Sequence, residues 1–101
     1  MIYWDNAATT YPKPAAVQQA VATALRQYGA NPGRGGHAMS LATSEQLYRC
    51  REAAAAFFGL SDPTGVIFTP NCTASLNLVI QGLLANGGRV IISDLEHNAV
   101  W

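Results

Sequence analysis

Apolar residues recur at three- and four-residue intervals in three parts of this chain, and helix-breaking residues bound each part. Val17, Val21, Leu25 and Tyr28, with Ala20 and Ala24 between them, predict a helix from Ala15. Pro12 and Pro14 block an earlier start. Gly29 ends the helix, since glycine accepts the left-handed conformation after a last helical turn. Leu41, Leu47, Tyr48, Ala54, Ala55 and Phe58 mark the apolar face of a second helix, from about Ser40 to Phe58, stopped by Gly59. Leu76, Val79, Ile80, Leu83 and Leu84 complete the stripe of a third, which Asn86-Gly87-Gly88 terminates. Two short apolar runs differ. Val66 to Thr69 reads as a strand, and Val90-Ile91-Ile92 as a strand covered on both faces.

Between these elements lie segments that hold neither helix nor strand. Residues 1 to 13 form an irregular arm with a turn signal at Asp5-Asn6. Asn31-Pro32-Gly33-Arg34-Gly35-Gly36-His37 is a loop, and Ser61-Asp62-Pro63-Thr64-Gly65 a turn. Strand, helix, strand across residues 66 to 93 is a βαβ-like unit, so the expected class is α/β. The expected organisation is an N-terminal arm and helical segment over residues 1–60, followed over 61–101 by the start of a larger α/β domain. Ligands of such sheets bind beyond the carboxyl ends of the strands. Thr69 to Thr73 and Asp94 to His97 are both expected there.

Composition sharpens this picture. Half the residues are hydrophobic and only 12% are charged, against roughly 25% in ordinary domains. A chain of 101 residues cannot hide so much apolar surface alone, so it is expected to associate or to be part of something larger. Net charge is zero and no basic block exists, which argues against nucleic acid or an acidic membrane as partner. The first residues lack the pattern of a signal peptide, and no apolar run approaches the ~20 residues of a membrane span. Cys50 and Cys72 have neither zinc-like nor disulfide-framework spacing, so a reducing cytoplasm is the expected compartment.

The richest stretch runs from Val66 to Asn77, where a β-type run enters a polar turn and the turn opens a helix. The first N–H groups of a helix have no intrahelical partner, and the peptide dipoles add partial positive charge there. Such a place binds phosphate, and the Thr73 hydroxyl is available to help. The competing reading is plain N-capping by Asn71 or Thr73. Cys72 is either a thiol activated by the helix terminus or a small polar residue whose backbone matters; no histidine adjoins it in sequence to act as its base. His97, taken alone, reads as a loop histidine satisfied by hydrogen bonds, and no metal-ligand spacing is present. Gly33-x-Gly35-x-x-Ala38 matches a dinucleotide fingerprint in form only, because it follows a helix rather than a strand. Asp94 and Glu96 suggest no acid–base role.

Together these segments resemble the N-terminal portion of the cysteine desulfurases, in the class V group of pyridoxal-phosphate enzymes of the aminotransferase fold. Tyr3 to Thr10 is similar to their opening, Asn31 to His37 to their Asn/Arg-Gly-x-His loop, Phe68 to Thr73 to their phosphate turn, and Glu96 to Val100 to their Glu-His-x-Ala/Ser segment. The resemblance implies a fold-type I transferase in which arm and helices precede the first strand-helix-strand of the large-domain sheet. It implies pyridoxal 5′-phosphate as cofactor, its phosphate held by Thr73 and the backbone around Cys72, and His97 stacked on the ring and assisting proton transfer. Asn6, Ala7 and Ala8 would lie near substrate, and Arg34 and His37 at the mouth of the site, close to a homodimer interface. The implied reaction converts L-cysteine to L-alanine and leaves sulfur on the enzyme as a persulfide for a sulfur-acceptor protein, as in iron–sulfur cluster assembly. Other class V activities, a selenocysteine lyase or an aminotransferase, stay open, as does a non-catalytic phosphate- or partner-binding role.

Two departures from the family pattern stand out. The turn reads Asn71-Cys72-Thr73 where many relatives carry Gly-Ala/Thr-Thr, a change that spares the backbone N–H groups. The family's Schiff-base lysine, pyridine-nitrogen aspartate and catalytic-cysteine loop have no counterpart here. The only lysine, Lys13, lies between prolines in the arm, and neither Cys50 nor Cys72 matches the sulfur-accepting position. The expectation is the first quarter of a longer enzyme, inactive by itself.

Overall fold

A computed structural model describes residues 2–101, which fall into two compact units, 2–66 and 67–101. The first unit holds the arm, helices α1 (Ala15–Gln27) and α2 (Ala38–Phe58), and a single 3₁₀ turn at Pro63–Gly65. The second holds α3 (Cys72–Leu84) and a following segment of turns.

Local chemistry accounts for the helix ends. Pro14 sits just outside α1, where its missing N–H is no loss; its carbonyl accepts from Val17 and Gln18, and the Gln18 side chain donates to the Lys13 carbonyl at 2.8 Å. His37 starts α2, its Nδ1 accepting from the Ser40 N–H at 3.3 Å. Gly59 ends α2 with φ 70°. Its N–H donates to Ala56 and that of Leu60 to Ala55, the paired bonds of a Schellman motif. Asp62 then caps the 3₁₀ turn, its Oδ1 accepting from the Thr64 N–H at 2.8 Å.

Ser40 and Ala55, both on α2, are the buried residues among those described. Ser40 is 1% exposed because it ties loop to helix: its hydroxyl donates to the Asn31 carbonyl at 2.9 Å, and its carbonyl accepts from the Ser44 hydroxyl. The apolar faces legible in the sequence remain largely open. Val17, Val21 and Leu25 on α1, Leu41 and Phe58 on α2, and Val79 and Leu83 on α3 are all exposed. An apolar cavity of about 600 Å³ separates α1 from α2, with Ala20 and Val21 on one side and Gln46 and Cys50 on the other.

The sheet expected from the sequence pattern is not present among the described residues. Val66 is extended, at φ −91° and ψ 119°, but neither Val66 to Thr69 nor Val90-Ile91-Ile92 has a ladder partner. Strand character is a property of a pair, since an isolated extended segment leaves its N–H and C=O groups to water. Ile91, at 99% exposed, has neither a neighbouring strand nor a covering helix. No helix among the described residues is long and apolar enough to cross a membrane.

Candidate functional site

The start of α3 carries the most chemistry in the second unit. Asn71 is extended and acts as the N-cap, its Oδ1 accepting from the Ala74 N–H at 2.8 Å. Its carbonyl accepts from the Ser75 N–H at 3.2 Å and from the Thr69 hydroxyl at 2.9 Å. The Thr69 and Ser75 hydroxyls also meet each other, so a small hydroxyl–carbonyl cluster braces the turn. Sequence reasoning placed Thr69 at the ligand end but missed its bracing role and that of Ser75; hydroxyl residues two before and four after a cap residue were the available signal.

The capping expected of Asn71 or Thr73 is present, and it falls to Asn71. The N–H groups of Cys72 and Thr73 and the Thr73 hydroxyl are therefore left without protein partners at the positive end of the helix dipole. Both residues are exposed. Three donors on the first turn of the helix are thus open to solvent, and such donors are the kind that an anionic oxygen group takes up. Further along, the Asn77 side chain donates to the Thr73 carbonyl at 2.9 Å, holding the first turn helical.

His97 lies in the same unit, exposed, in a turn closed by the Val100 N–H on its carbonyl at 2.9 Å. Its Nδ1 accepts from the Ala99 N–H at 3.1 Å, so a neutral ring carries its proton on Nε2. No hydrogen bond joins His97 to Cys72 or Thr73. Glu96 instead accepts from the Ser93 hydroxyl at 3.0 Å.

The remaining candidates lie in the first unit. Asn6, Ala7 and Ala8 form an exposed turn, closed by the Ala8 and Thr9 N–H groups on the Asp5 carbonyl. The Tyr3 hydroxyl lies within donating distance of both the Asp5 and the Thr9 carbonyls, which share its one proton, and its ring meets Tyr11 edge-on at 5.5 Å. Asn6 accepts from the Tyr11 N–H, so its side chain serves the arm. Lys13 is held by the Thr9 hydroxyl at 2.6 Å and by the Thr10 carbonyl. Arg34 is exposed and lines a cavity of about 490 Å³ with Gly33, Gly35 and Ser40. His37 spends its Nδ1 on capping α2. Both cysteines are free thiols on the surface.

The family described as aminotransferase class-V matches residues 2–101. A probable cysteine desulfurase of Vibrio cholerae is 34% identical, over 98% of this chain and 25% of its own length. One from Methanothermobacter thermautotrophicus is 33% identical, over 97% of the chain and 24% of its length. A cysteine desulfurase of Haloferax volcanii is 36% identical, over 98% and 24%. The chain spans about a quarter of the length of these relatives. No solved structure matches significantly.

Proposed function

The chain belongs to the aminotransferase class-V family, and from that premise we propose that it forms the phosphate-holding segment of a pyridoxal phosphate-dependent cysteine desulfurase. The observation that carries this reading is the division of labour at α3: Asn71 caps the helix, and Cys72 and Thr73 keep three donors free. Those donors fit a phosphate, which brings about −1.5 to −2 charges and three acceptor oxygens. Bound there, the cofactor would supply an electron sink for reactions at the α-carbon of an amino acid. Thr73 and the two N–H groups would fix its phosphate and so its register. His97, with Nδ1 occupied by the Ala99 N–H, would offer an aromatic face and an Nε2 donor to the ring. Asn6, Ala7 and Ala8 would border the substrate, L-cysteine, and Arg34 and His37 the entrance near a homodimer contact. Sulfur would pass to an acceptor protein in the cytoplasm.

A second reading is phosphate binding without chemistry by these 101 residues taken alone. Within them Lys13 is engaged by Thr9 and Thr10 in the arm, and a covalent anchor for the cofactor needs a free amine. Both readings require the α3 donors, and Thr73→Val tests them. Loss of one charge-assisted hydrogen bond should lower pyridoxal phosphate affinity by about 1–3 kcal/mol. The same substitution should leave binding of pyridoxal, which lacks the phosphate, unchanged. Equal affinity of wild type and Thr73→Val for pyridoxal phosphate would reduce Thr73 to a helix residue without a site.

A further inference from the structure

We draw no further inference here: the strongest candidate, the apolar cavity of about 600 Å³ between α1 and α2 lined by Val21, Ala24, Tyr28 and Cys50, carries nothing, since nothing in the structure shows what covers it.

Discussion

Replacing Asn71 by Asp separates the two jobs done at the start of α3. The cap itself should survive, because Asp and Asn are equivalent acceptors for the Ala74 N–H, now at 2.8 Å. A negative charge at a helix N-terminus adds about 0.3–1 kcal/mol of stability. Phosphate should feel the opposite. The cap and the free donors of Cys72 and Thr73 are exposed, so the dielectric of water applies. Taking one helical turn, ~5.4 Å, as the separation and −1.75 as the phosphate charge, the repulsion is about 1.3 kcal/mol, or roughly ninefold in affinity. Screening at 0.15 M salt halves this, leaving about threefold. The assay is pyridoxal phosphate binding at low and at physiological ionic strength, with pyridoxal as the uncharged-tail control and far-UV circular dichroism to confirm α3. Asn71→Ala should behave differently, losing about 1 kcal/mol of helix stability while adding no charge. An Asn71→Asp protein with intact helix and unchanged, salt-independent pyridoxal phosphate affinity would show that no phosphate sits at these donors.

The other expectations are more local. Gly59→Ala should destabilise α2 by about 1 kcal/mol, the left-handed penalty of about 1–2 kcal/mol less the entropy removed from the unfolded chain. A Cβ there meets no atom within 4 Å, so relief by Gly59→Asn in the same thermal melt would confirm a purely backbone origin. The Thr64 hydroxyl, and after it the Thr64 N–H, holds the Asp62 carboxyl below its ordinary 3.8. A depressed folded-state value means that the contact is fully present above about pH 3.8 and fades as pH falls through the folded-state value. An NMR titration in which the Thr64 amide and the Asp62 carboxyl move together below that pH would show it, and a midpoint above 3.8 would contradict it. The 101-residue chain by itself should release no sulfide or alanine from cysteine beyond the rate of free pyridoxal phosphate, given the engagement of Lys13. Faster turnover by the purified chain would refute that.

Local signals determined much of this protein. Pro14, Gly59 and the apolar spacing of Leu76 to Leu84 set where helices start, stop and face, because these effects act within a turn or two of the chain. The four motif segments likewise carried the family. What sequence left open was decided by contacts across several residues. Asn71 rather than Thr73 took the cap because the Thr69 and Ser75 hydroxyls hold its carbonyl and fix the turn around it. The His37 side chain caps the start of α2, a role its motif did not announce, and Ser40, which no motif marked, is the buried anchor of the glycine-rich loop. The two apolar runs show the limit most clearly. Val66 to Thr69 and Val90 to Ile92 have the composition of strands, but a strand requires a neighbour whose N–H and C=O groups meet its own, and composition cannot supply one. The amphipathic stripes obey the same rule: sequence fixes which face is apolar, and only a packed partner makes that face a core.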